Sequence, residues 1–163
     1  MNPSASPTTG TVQSRLQALG LTLPTLAVPT ANYRPFRRHG DLVYLAGQTS
    51  SQASGESFYG TLANAGDVPR GYQAARLCML NLLAALSQCC DGDLERVGGC
   101  LKVNGYVLAD RAFDAVPAVV NGASDLLVEL LGDAGQHART AIGVSVLPRS
   151  CSVEVEAVFF LKS

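Results

Sequence analysis

The sequence predicts one α+β domain, a mostly antiparallel six-stranded sheet with two long helices packed on one face. Three observations lead there. Two stretches, 69–90 and 113–131, carry apolar residues at helical spacing. Strand-like runs rich in valine and aromatics stand before, between and after them, so the chain reads strand pair, helix, strand, helix, strand pair. At 163 residues the chain fits one domain over 1–163, and its 47% hydrophobic against 15% charged composition leaves apolar surface that a second copy would cover.

The elements follow in order. Residues 1–10 are rich in Pro, Ser and Thr and read as a loose leader-free start. Thr11 is placed to cap a short helix through Leu19, with Leu16 and Leu19 on one side and Gly20 as its stop. Pro24 and Pro29 mark Leu21 to Pro29 as an extended connector. Tyr33–Arg38 and Leu42–Gln48 form a hairpin across His39, Gly40 and Asp41, and Tyr59–Ala63 adds a short strand.

Pro69 opens the clearest helix, which runs to about Cys90 with Tyr72, Ala75, Met79, Leu82, Leu83 and Leu86 on its apolar face. Val97–Ala109 is a strand region whose Asn104-Gly105 pair allows either a hairpin turn or one strand with a bulge. Phe113–Leu131 is the second long helix, against which the poor helix formers Asn121 and Gly122 stand as an objection. Thr140–Leu147 and Ser152–Phe160 then make a final hairpin through Pro148 and Arg149.

Composition excludes several function classes. A net charge of −1 supplies no field for nucleic acid, and no stretch has the ~18 uncharged apolar residues of a membrane span, so the chain is read as cytoplasmic with neither nucleic acid nor membrane as partner. The five cysteines lack paired CxxC spacing and read as reduced core thiols, so no metal is expected. Cys151 is the one thiol close in sequence to candidate chemistry. Phosphate-binding glycine loops, HExxH and GxSxG are absent.

What remains is the final strand pair. Alternation in Ser152–Phe160 puts Val153, Val155, Ala157 and Phe159 on one face and Glu154, Glu156, Val158 and Phe160 on the other. A carboxylate buried on a face with aromatics needs a partner or a raised pKa; the alternative is that one Glu is exposed at a sheet margin and the other is neutralised by a surface Arg or Lys. Arg139 is one candidate partner, and its planar fork also suits clasping the carboxylate of a small acid. The run NYRPFRRHG gathers Arg34, Arg37, Arg38 and His39 around Tyr33 and Phe36, an arrangement that can stack RNA, but in a short cluster without supporting net charge it reads as a charged hairpin edge that protects against edge pairing.

These blocks together resemble the RidA/YjgF reactive-intermediate deaminases, also called the endoribonuclease L-PSP family. The resemblance runs from about Leu16 to Phe160 through ANYRPFRRHGDLVYLAGQ, GYQAARLCMLNLLAAL with GDLERV, VNGASDLL, and HARTAIGVSVLP with SVEVEAV. The ANY and HAR motifs are similar to those of a bacterial branch of uncharacterised members. The resemblance implies a chorismate-mutase-like fold, one strand through Asn104, one helix through Asn121, and a homotrimer with sites between subunits. It further implies hydrolysis of the C=N bond of 2-imino acids to 2-keto acids and ammonia, with no cofactor. Arg139 takes the position of the arginine that binds the substrate carboxylate, and Glu154 that of the carboxylate placing the attacking water. Tyr33, Gly47 and Asn121 take substrate-binding positions. Ala46 stands where the family carries serine, which removes one hydrogen bond to substrate or water. An RNA-cleaving protein and a non-catalytic module for small carboxylates are the alternatives.

Overall fold

A computed structural model describes residues 10–26 and 31–162. The expectations for residues 1–9 and for Pro29 fall outside those residues. Helix α1 (Val12–Ala18) begins where Thr11 accepts a hydrogen bond from the Ser14 amide. Val12 and Leu16 face inward, while Leu19 is 40% exposed and does not join Leu16 in the core. The described part of the connector, 21–26, has neither helix nor strand.

Strands β1 (Phe36–His39) and β2 (Leu42–Thr49) form the expected hairpin. Helix α2 (Val68–Cys89) follows, with Pro69 in its first turn, where no backbone N–H is needed. Strand β3 (Val97–Leu108) then leads into helix α3 (Val116–Leu131), strand β4 (Ala138–Val144) and strand β5 (Val153–Leu161).

The sheet has five strands rather than six, in the order β1-β2-β5-β3-β4, and it is mixed because β3 and β4 run parallel. Tyr59–Ala63 fails as a strand because its residues bridge to different partners, Tyr59 to Cys151 and Leu62 to Ala109. The final two strands do not form a hairpin either. Helix α3 carries the chain over the sheet and lays β4 beside β3, and β5 then enters on the other side of β3, between it and β2.

Both helices cover one sheet face. From Ala74 to Leu86 every residue of α2 except Arg76 is buried, since α3 flanks it on one side and the sheet lies beneath. Val43, Val103, Val155 and Phe159, all at 0% exposure, form the sheet side of that core. Glycine explains the two doubtful segments. A Cβ on Gly122 would strike the backbone carbonyl of Tyr72, so glycine lets α3 approach α2, and a Cβ on Gly105 would strike Val120 of α3. Asn121-Gly122 therefore lies inside one helix, and Asn104-Gly105 inside one strand.

The opposite sheet face has no layer over it among the described residues. Tyr44, Leu101 and Ile142 are 51%, 44% and 46% exposed there, beside the half-buried Val158 and Phe160. No described helix is long and apolar enough to cross a membrane.

Candidate functional site

The alternation of β5 sends Glu154 and Glu156 to the uncovered face, where they diverge in environment. Glu156 accepts hydrogen bonds from Asn104 Nδ2 at 2.8 Å and from the Tyr106 hydroxyl at 3.0 Å, so neutral donors rather than a salt bridge satisfy it. Glu154 stands opposite Thr49 of β2 and Tyr106 of β3. Burial, and then the charge of Glu156, raise its carboxyl pKa above the ordinary value.

Glycine creates the space that Glu154 occupies. The ladder between β2 and β5 slips between Leu45 and Gln48, and Gly47 lies in that irregularity. A Cβ there would collide with Glu154 Oε1, so the carboxylate rests over bare backbone. Beside it opens a cavity of about 590 Å³ whose walls include Tyr33, Ala46, Gly47, Asn81, Arg149 and Glu154.

Three of the sequence-predicted residues, Tyr33, Gly47 and Glu154, thus meet at one cavity. Arg139 and Asn121 lie elsewhere. Arg139 pairs in register with Val103, which is fully buried beneath the helices, so its side chain points to the helix face of the sheet, opposite to Glu154. Its strand is two places from β5, roughly 10 Å at ~4.8 Å per strand. One chain therefore does not bring Arg139 to its own Glu154.

Arg139 is nonetheless held in a set pose. Its Nη1 donates to Asn121 Oδ1 at 2.7 Å and to Ser124 Oγ at 3.1 Å. His137 backs the serine: its Nδ1 lies 2.6 Å from the Gly135 carbonyl and its Nε2 lies 3.1 Å from Ser124 Oγ. A proton on Nδ1 makes Nε2 an acceptor, so the Ser124 hydroxyl donates to His137 and accepts from Arg139. Burial lowers the His137 pKa, which favours this neutral form. Only Nη1 of Arg139 is engaged among the described residues, which leaves the Nε and Nη2 edge open for a carboxylate.

Two residues at the cavity were not singled out from the sequence. Asn81 is 3% exposed and donates to the carbonyls of Thr49 and Ser51, fixing the end of β2. Its signal was present, as the one amide in the apolar run of α2. The sequence marks Arg149 only as a turn residue, yet it lines the cavity and its Nη2 donates to Ser51 Oγ at 2.6 Å. Of the run around the arginine cluster, Tyr33 and Pro35 line the cavity, whereas Arg34, Arg37 and Arg38 do not. Arg37 and Arg38 lie on the β1 edge, where Arg38 donates to the Gly40 carbonyl and pairs with Asp41 at 3.6 Å. The thiols are free, and burial pushes Cys100 up to about 12 and Cys78 well above its usual value.

A mixed sheet with two long helices on one face, and a carboxylate over a glycine at its cavity, define a chorismate-mutase-like α+β protein. The chain belongs to the YjgF family: residues 13–159 match the family described as "YjgF/chorismate_mutase-like, putative endoribonuclease". It is 37% identical over 155 residues to Protein TCP17 of Trypanosoma cruzi, covering 94% of this chain and 96% of that one, so the similarity extends beyond bacteria. The crystal structure of Atu1372 from Agrobacterium tumefaciens, a protein of unknown function, is 36% identical with a TM-score of 0.83, over 93% of this chain and 94% of that one. RidA from an Antarctic Psychrobacter shares the fold at 21% identity and a TM-score of 0.52, over 82% of this chain and 92% of that one.

Proposed function

We propose that the protein hydrolyses reactive 2-imino acids, or their enamine tautomers, to 2-keto acids and ammonia. The observation that carries this reading is Glu154, a carboxylate with a raised pKa held over Gly47 at the wall of a cavity sized for a small acid. Membership of a family that includes proteins named RidA supports it.

The chemistry asks little of the protein. A protonated imine carbon is already electrophilic, so positioning of substrate and water supplies most of the gain. Glu154 would accept a proton from water as its oxygen bonds to the imine carbon. The resulting carbinolamine breaks its C–N bond as Glu154 returns that proton to nitrogen, the hydroxyl O–H bond breaks to form the new C=O, and the departing ammonia carries that hydroxyl proton away as ammonium. No electrons are gained or lost. The elevated pKa of Glu154 suits it to both halves of this transfer.

The substrate carboxylate would bind the open edge of Arg139. Because Arg139 and Glu154 project to opposite faces of one sheet, the reading places the working site between copies, with Arg139 and Asn121 of one facing Glu154, Gly47 and Tyr33 of the next. The uncovered sheet face, with Tyr44, Val158 and Ile142, is the surface on which such copies would associate, and the reading assigns them to a homotrimer.

The test uses an amino acid oxidase to generate imines and follows keto acid release. Purified protein is expected to accelerate release, and Glu154→Gln to abolish the acceleration with the fold intact by circular dichroism. No acceleration across several amino acids would refute the reading.

A further inference from the structure

We propose that Arg149 is a second anion anchor in the Glu154 cavity, and that the preferred 2-imino acids carry a second carboxylate at the end of a short side chain. The inference rests on the imine-hydrolysis reading for its substrate class, and it adds to that reading a residue at which substrates are told apart.

The first support is the state of the guanidinium. Arginine offers five N–H donors, and among the described residues one hydrogen bond, from Nη2 to Ser51 Oγ, engages Arg149. None of the ion pairs among the described residues includes it. Glu154 lines the same cavity but does not neutralise it. A guanidinium beside that carboxyl would hold its pKa down, whereas burial and Glu156 raise it with no cation opposing. A cationic fork with free donors at a cavity wall suits a planar carboxylate, which it can hold with two parallel hydrogen bonds.

The second support is how the side chain is aimed. Arg149 and Ser150 both adopt left-handed backbone, with φ of 54° and 56°, a region that L side chains rarely occupy. The surrounding chain enforces it. Gly60 N–H donates to the Ser150 carbonyl at 2.8 Å, Ser152 N–H donates to Phe58 O at 3.0 Å, and Arg70 holds the Tyr59 carbonyl at 2.8 Å. The segment that failed as a sixth strand thus works as a strap for this loop, and the loop turns Arg149 toward the cavity.

The third support is spacing. Thr49 stands opposite Glu154 in the sheet, and Ser51, which tethers Arg149, comes two residues later. β2 ends at Thr49 and Ser50 bends the chain, so these two residues span at most about 7 Å, a reach that matches the few bonds of an acidic side chain. A cavity of about 590 Å³ also exceeds the need of a three- or four-carbon acid.

The experiment measures binding of two product acids, 2-oxoglutarate and 2-oxobutyrate, by calorimetry to wild type, Arg149→Gln and Arg149→Lys. It then measures keto acid release from imines made by oxidation of glutamate and of 2-aminobutyrate. Wild type is expected to bind 2-oxoglutarate at least ~10-fold tighter than 2-oxobutyrate. Arg149→Gln is expected to erase that preference while changing 2-oxobutyrate affinity less than ~2-fold, and Arg149→Lys to restore part of it. Equal binding of the two acids, or equal weakening of both by Arg149→Gln, overturns the proposal. A binding preference without faster release from either imine leaves the anchor standing and removes the imine-hydrolysis reading instead.

Discussion

Glu154 lies so close over Gly47 that one added methyl group would clash with its Oε1. The atom in the way is the end of a flexible side chain, so the methyl would displace the carboxylate rather than the strands. Gly47→Ala is therefore expected to leave the melting temperature nearly unchanged and to lower kcat for imine hydrolysis by ~10- to 100-fold, the scale on which small misplacements act. Unchanged kcat with a displaced Glu154 in a crystal structure would show that its position is immaterial.

Charge at Glu154 opposes folding. Its folded pKa lies above the unfolded value near 4.5, so the folded chain holds this proton more tightly, and the associated stability is lost as pH rises through the raised pKa. Glu154→Gln is expected to raise the melting temperature at pH 7.5 and to lose that advantage by pH 4, where the native carboxyl is protonated. Thermal melts across this range measure it.

Arg139 depends on Ser124, and Ser124 on His137. Removing the hydroxyl with Ser124→Ala is expected to raise KM by ~10-fold with kcat within ~2-fold, because the anchor loses its fixed pose while the water-handling group is untouched. Ser124→Thr should restore KM. His137 has the opposite sign to Glu154. Its folded pKa lies below the unfolded 6.5, so its contribution to stability is present above that value and is lost as pH falls through the folded pKa. His137→Gln should flatten that acid-side fall in melting temperature.

A site shared between copies has a signature that no single-chain site reproduces. Arg139→Ala and Glu154→Gln are each expected to be inactive alone, yet refolding them together should recover activity from sites that draw one intact residue from each copy. Absence of recovery in mixtures shown to contain hybrid oligomers would place the whole site in one chain.

Gly122 faces backbone rather than a side chain, so its neighbour cannot yield. Gly122→Ala is expected to push α3 off α2 and to cost about 1–3 kcal/mol in urea denaturation, despite the better helix propensity of alanine. A gain in stability would mean that the helices have slack.

Legibility in the sequence tracked how local the cause was. Thr11 as a cap, Pro69 in the first turn of α2 and the two faces of β5 are settled within a few residues, and the structure has them as read. Strand order is not local. Two valine-rich runs joined by Leu147-Pro148 look like a hairpin, and nothing nearby reveals that β3 lies between them. The site divided the same way. Tyr33, Gly47 and Glu154 stand out in the sequence and do meet, whereas Arg149 does not, because its direction depends on a left-handed turn that Gly60 and Arg70 secure from far away in the chain. Gly122 misled in the other direction, since a poor helix former is required where two helix backbones nearly touch.

Separating β4 from β5 also changes what mutation can do at the cavity. Because these strands are not neighbours, residues 145–152 must cross the end of β3, and the crossing delivers Arg149 to the rim of β2 without belonging to any strand ladder. Glu154, by contrast, is fixed by pairing on both sides. A lineage of such proteins can therefore exchange the residue at 149, and on the proposed reading the acids it favours, while the Glu154 carboxylate stays where the sheet puts it.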